Sequence, residues 1–145
     1  MTKRKLLNSD KCPITYALDI FGDKWSLIIL RDMIFKDKKH YGEFLASAEK
    51  ISTNILASRL LKMESEGLIS KMQDRDNLSK YIYQLTDKGK DLIPVMLEMV
   101  AWSVKHNPQP NVSSNIIKGA PTNLLAKFHK QREQLINEIL DKTKN

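Results

Sequence analysis

Two apolar-periodic stretches, at 41–48 and 52–67, stand three residues apart, joined by Glu49-Lys50-Ile51. Tyr41, Phe44, Leu45 and Ala48 recur at helical intervals, and so do Leu56, Leu60 and Met63. Ser52 stands where a helix cap is needed, and Gly67 supplies the stop. Two short helices across so brief a turn make a helix-turn-helix.

The flanks complete a larger plan. Pro13 suits a first helical position after Cys12, with Ile14, Leu18 and Phe21 following at helical spacing before Gly22. Asp23 can cap a second helix whose run 25–35 is apolar on most sides, the pattern of a central buried helix. After the charged link 36–39 and the helix-turn-helix, 68–72 and 80–85 read as strands around the polar loop 74–79. Thr86 then caps a helix running to about His106, with Leu92, Met96, Met99 and Val100 as its stripe and Pro94 as a kink or first-turn marker.

The expected fold is therefore α+β and mostly helical: a winged helix-turn-helix with a two-stranded hairpin wing and a C-terminal helical extension. Residues 1–11 read as a flexible basic arm, 12–106 as the DNA-binding and dimerisation domain, 107–120 as a linker and 121–145 as a final helix. In that helix Leu125, Phe128, Leu135 and Ile139 form a short apolar seam, with Arg132 in the gap and an added dimer contact as the expected role.

Composition narrows the partner. Of 145 residues, 24 are Lys or Arg and 17 are Asp or Glu, a net charge of +7 that favours a polyanion. No apolar run approaches the roughly 20 residues of a membrane span, and the basic N-terminus lacks the apolar core of a signal peptide, so a cytoplasmic site is expected. Cys12, the single cysteine, permits no internal disulfide. His40, His106 and His129 are too scattered for a zinc site, and no cofactor is expected. Enzyme chemistry has no nucleophile–base set, phosphate loop or acid pair to rest on.

At 100° per residue, the helix from Ser52 sets Leu56, Leu60 and Met63 on one side. Thr53, Asn54, Ala57 and Ser58 fall on the other. Short polar side chains let a helix approach a major groove about 12 Å wide, and Asn suits paired hydrogen bonds to adenine. Ser52 and Thr53 are placed for phosphate contact at the helix N-terminus, Arg59 and Lys62 at the rim, and Arg75 and Lys80 in the hairpin. The plainer alternative is a solvated helix face with a serine cap. Leu61, in the middle of the reading face, suits a thymine methyl or a protein partner. Trp25 and Trp102 are expected to be core packing rather than a ligand pocket.

These residues resemble the HxlR-type bacterial transcriptional regulators. The resemblance lies in Cys12-Pro13, the run 17–25, Ile29-Leu30-Arg31-Asp32, Tyr41-Gly42-Glu43-Phe44, Ile51-Ser52, Arg59-Leu60, Gly67-Leu68-Ile69 and Leu85-Thr86-Asp87-Lys88-Gly89. It covers about residues 12–105 and implies a winged-helix homodimer on double-stranded DNA, binding an inverted repeat, often as a repressor. It also implies dimerisation through the first helix (Ile14, Leu18) and the long helix after the hairpin (Met96, Met99, Trp102). Several members sense oxidants or electrophiles through a cysteine at the position of Cys12, where Lys11 and a helix N-terminus favour the thiolate. A small hydrophobe buried in the dimer interface is the other reading of Cys12. Three departures stand out: the hairpin loop lacks the family's common proline, Lys36 stands where glycine is usual, and the tail beyond about 107 exceeds the family's length. The effector is unspecified.

Overall fold

A computed structural model describes residues 12–107 and 132–143. Its elements run α1 (Pro13–Phe21), α2 (Lys24–Phe35), α3 (Tyr41–Leu45), α4 (Thr53–Ser65), β1 (Ile69–Gln73), β2 (Tyr81–Leu85), α5 (Asp87–Lys90), α6 (Ile93–His106) and α7 (Arg132–Lys142). This is the winged helix-turn-helix expected from the sequence, α3–turn–α4 followed by a hairpin. The basic arm 1–11, the linker beyond Asn107 and the seam residues Leu125 and Phe128 lie outside the described residues.

Local chemistry sets the boundaries. Asp23 caps α2, accepting from the Ser26 amide at 3.1 Å, and Ser52 caps α4, accepting from the Ile55 amide at 3.2 Å. Gly67 ends α4 at φ 75°, with its own amide on the Glu64 carbonyl and the Leu68 amide on the Met63 carbonyl. That paired closure needs a left-handed residue, which glycine adopts without strain. Thr86 caps only the single turn of α5, and Pro94 lies in the first turn of α6. The long helix expected after the hairpin is thus two helices, because Pro94 starts one where it would have broken the other.

The core forms around α2. Ile29 and Leu30 meet Phe44 of α3, Leu56, Leu60 and Met63 of α4, and Ile93 and Leu97 of α6, all nearly inaccessible to solvent. Each such side chain contributes about 1.5–3 kcal/mol on burial. Trp25 packs against this core, but Trp102 is 68% exposed, with its ring 5.1 Å from that of His106. The core role expected of Trp102 is therefore corrected: α6 turns Ile93, Met96 and Leu97 inward, and Trp102 lies off that face.

A buried ionic cluster pins the helix-turn-helix to α2. Asp32, 1% exposed, accepts from Arg31 at 2.8 and 3.0 Å, from the Lys38 ammonium at 3.1 Å and from the Ser47 hydroxyl. Arg31 also forks onto Glu49 in the turn, at 2.7 and 2.8 Å. Every acceptor site of the carboxylate is thereby used, which is the condition for burying it. Lys36 has φ −111° and needs no glycine; the left-handed residue of that link is Asp37, at φ 54°.

The hairpin is antiparallel, pairing Ile69 with Leu85, Lys71 with Tyr83 and Gln73 with Tyr81. The Tyr83 amide donates outward to the Lys39 carbonyl at 2.8 Å, so the link before α3 joins the edge of β2. At the base of the wing, a Cβ on Gly89 would lie 2.1 Å from the Leu68 carbonyl oxygen. The close approach of α5 to Leu68, just before β1, requires glycine there.

Candidate nucleic-acid interface

Along α4 the two sides separate as the sequence implied. Leu56, Leu60 and Met63 are buried, while Ser52, Thr53, Asn54 and Ala57 are exposed and Ser58 is half-buried. Leu61 is 67% exposed on the outward side. The N-terminal turn of α4 therefore presents small polar groups on a rigid, anchored backbone. The Tyr41 hydroxyl reaches the Thr53 carbonyl at 3.2 Å and holds that turn against α3.

Two cations expected at phosphates are turned toward the body. Arg59 Nε donates to Asp23 Oδ2 at 2.8 Å, and Lys62 Nζ donates to the Asp19 carbonyl at 2.7 Å. Both flank the stripe of Leu56, Leu60 and Met63 that faces the body. They fix the pitch of α4. Arg75 and Lys80, by contrast, are exposed at either end of the wing loop.

The loop itself is ordered by side chains. The Asp74 amide donates to the Lys80 carbonyl at 2.9 Å, Asp74 Oδ1 accepts from the Asp76 amide at 2.9 Å, and Gln73 donates to the Leu78 carbonyl at 2.6 Å. These bonds shape the loop without a proline. On the strands, the Lys71 ammonium lies 4.2 Å from the ring centre of Tyr81.

Residues 20–111 match the HxlR-like helix-turn-helix family, and with α3, α4 and the wing in place that decides the matter. The chain belongs to this family. The uncharacterized HTH-type transcriptional regulator YdeP of Bacillus subtilis (strain 168) is 36% identical over 95 residues, covering 66% of this chain and 73% of YdeP. Among solved structures, the redox regulator HypR in its oxidized form superposes with a TM-score of 0.60 at 29% identity, over 68% of this chain and 100% of HypR. The reduced form of the transcriptional regulator YodB from B. subtilis gives 0.53 at 27% identity, over 67% and 95% of the two chains. This HxlR-like protein is accordingly a transcriptional regulator with a helix-turn-helix DNA-binding fold, not an enzyme. Among the described residues no helix is long and apolar enough to cross a membrane.

The surfaces expected to dimerise are partly open. Ile14 (71%), Leu18 (40%), Met99 (45%) and Trp102 are exposed apolar residues on α1 and α6. Met96 is a correction: at 6% exposure it belongs to the chain's own core. Cys12 caps α1 and is half-buried; the amides of Thr15 and Ile14 hold its thiol below the usual value.

Sequence reasoning missed His40 and the anchoring role of Tyr41. A signal existed for the first. His40-x-x-Glu43 has the spacing of a capping box, and the Glu43 carboxylate accepts from the His40 amide at 3.1 Å.

Proposed function

We propose that this HxlR-like regulator binds an inverted repeat as a homodimer and represses transcription by occupying the promoter. In this reading 12–106 is the DNA-binding and dimerisation unit. Ser52, Thr53, Asn54, Ala57 and Ser58 meet the major groove, and Arg75 and Lys80 meet phosphates along the flank. The observation that carries the reading is the division of α4 into a buried Leu56–Leu60–Met63 side and an exposed side of small polar residues at its capped N-terminus. The exposed apolar residues of α1 and α6, Ile14, Leu18, Met99 and Trp102, supply the self-complementary surface that a two-fold dimer buries. α7 packs onto that unit through Ile139.

Selection from a random DNA pool tests both parts, and a palindrome is expected. Asn54→Ala should alter preference at one base pair by about 1–3 kcal/mol, whereas Arg75→Ala and Lys80→Ala should weaken all sequences alike and each reduce the salt slope by about 1. Unchanged specificity in Asn54→Ala removes the base-reading role.

Redox or electrophile control through Cys12 is the second part of the reading. The helix-capping position and the lowered thiol favour the reactive thiolate, and both HypR and YodB were solved in forms defined by oxidation state. Alkylation of Cys12 should change operator affinity in the native chain and have no effect in Cys12→Ser. Equal affinity before and after alkylation leaves Cys12 as a packing residue.

A further inference from the structure

A groove lies between α3 and the wing, lined by His40, Tyr41, Glu43, Lys80, Tyr81 and Tyr83. It is continuous with the reading helix, because Tyr41 reaches from it to the Thr53 carbonyl. His40 stands between two carboxylates from different elements. Its Nδ1 is 2.9 Å from Glu43 Oε1, and its Nε2 is 3.0 Å from Asp74 Oδ2. Ionised carboxylates only accept, and a neutral imidazole has one N–H, so both contacts are hydrogen bonds only in the imidazolium. Asp74 is also the residue on which the wing loop folds, through Lys80 and Asp76.

We propose that His40 is a positioning residue for DNA binding. As an imidazolium it ties the wing loop to the first helix of the helix-turn-helix and keeps the groove between them as the seat of one sugar–phosphate strand. This rests on the reading of α4 as the DNA-reading helix. The occupant follows from the lining and the neighbourhood. Lys80 and the tyrosine hydroxyls offer donors to phosphate, the tyrosine rings offer flat faces to deoxyribose, and the groove opens beside the N-terminus of α4. Charge decides when that seat is usable. Glu43 and Asp74 are matched by His40 and Lys80; loss of the imidazolium proton leaves one negative charge in excess and breaks the tie to the wing.

Charged and titratable groups face His40 from every element packed against it. From α3 these are Tyr41 and Glu43; from the preceding link, Lys39, whose amide donates to Glu43 at 3.3 Å. The wing loop brings Asp74, Asp76 and Lys80, and β2 brings Tyr81 and Tyr83. Glu43 lies below the usual carboxylate range: burial pushes it up, but the bonds from His40 and from the amides of Lys39 and His40 prevail. Asp74 is lowered by the Asp76 amide and then by His40. In return, Glu43 first and Asp74 second raise the imidazole above its ordinary value. The clamp is therefore complete in mild acid and is lost as pH rises through that raised value.

The test is a titration of the full chain onto a fluorescein-labelled random-sequence duplex of about 25 base pairs, long enough for two half-sites. Between about pH 6 and about pH 8.5, Kd should rise at least about fivefold and the salt slope should shrink by about 1. His40→Arg should stay tight at both values, His40→Gln should be weak at both, and His106→Gln should keep the native profile. Without DNA, the Asp74 and Asp76 amide resonances should titrate at the midpoint of the His40 ring. A flat native profile, or a native profile in His40→Gln, overturns the proposal. Absence of duplex binding at either pH overturns both the seat and the regulator reading, whereas loss of pH dependence alone overturns only the seat.

Discussion

Arg59 of α4 and Asp23, the cap of α2, are joined by an ion pair of 2.8 Å. The same carboxylate accepts from the Ser26 amide and, at 2.6 Å, from the Ser26 hydroxyl. One side chain thus caps the start of the central helix and ties α4 to the body.

Asp23→Ala should cost about 1–2 kcal/mol in urea unfolding, the usual loss of a cap, and should also weaken DNA binding as α4 loosens. The carboxyl lies below its ordinary value: burial pushes it up, but Ser26 and Arg59 outweigh that. A depressed folded value means the stabilisation is present above the unfolded pKa near 3.9 and is lost as pH falls through the folded one. Below about pH 4 the native chain should lose stability more steeply than Asp23→Ala. Parallel acid profiles for the two would show that Asp23 carries no such linkage.

Burial separates the two carboxylates that share Arg31. Asp32 is 1% exposed and Glu49 32%. Asp32→Ala strands Arg31 and Lys38 beside a cavity and should cost about 3–5 kcal/mol, while Glu49→Gln should cost no more than about 1. Arg31 holds the Glu49 carboxyl at about 2, so the pair survives mild acid and fails only toward that value. Chemical unfolding of both variants checks the order; equal losses would mean the turn, not the buried carboxylate, bears the load.

Gly89→Ala tests the base of the wing. The added carbon meets a backbone oxygen, which cannot swing aside as a side chain would. The expected loss is about 1–3 kcal/mol, with earlier hydrogen exchange at the Thr86 amide, which donates to the same Leu68 oxygen at 3.0 Å. An unchanged urea midpoint would show that α5 can retreat from β1.

What could be read from the sequence was what depends on neighbours in the chain. Asp23, Ser52 and Thr86 announce their caps, Gly67 its left-handed turn, and Leu56–Leu60–Met63 the inner side of α4, because each is settled within one or two turns of helix. Partners distant in sequence were not legible. Nothing local separates an Arg59 bound for a phosphate from one bound for Asp23, 36 positions away. His40 is similar: its spacing to Glu43 is visible, but Asp74 arrives only when the wing folds back, 34 positions on. Met96 and Met99 were both read from one stripe, and the absolute rotation of α6 against α2 decides that Met96 is inside and Met99 is not.

The tail gives the last prediction, because α7, expected to add a dimer contact, buries an apolar residue within its own chain. Ile139 is 3% exposed within the chain's own core, and Ile136 and Leu140 pack beside it. Asn137, Leu140 and Asp141 of α7 line a groove with Asp87 and Lys90 of α5, and Thr143 just past the helix lines another with Met33, Lys39 and Leu85. Burial of this kind is worth far more than the exposed pair of Arg132 with Glu98 at 2.5 Å. Ile139→Ala should therefore cost about 2–5 kcal/mol and Arg132→Ala no more than about 0.5. Packing within one chain also fixes how the loss behaves: unlike a dimer contact, it does not vary with protein concentration. Urea unfolding at two concentrations a hundredfold apart should give the same loss for Ile139→Ala at each. A loss that grows with dilution would move Ile139 from the core of one chain to the contact between two.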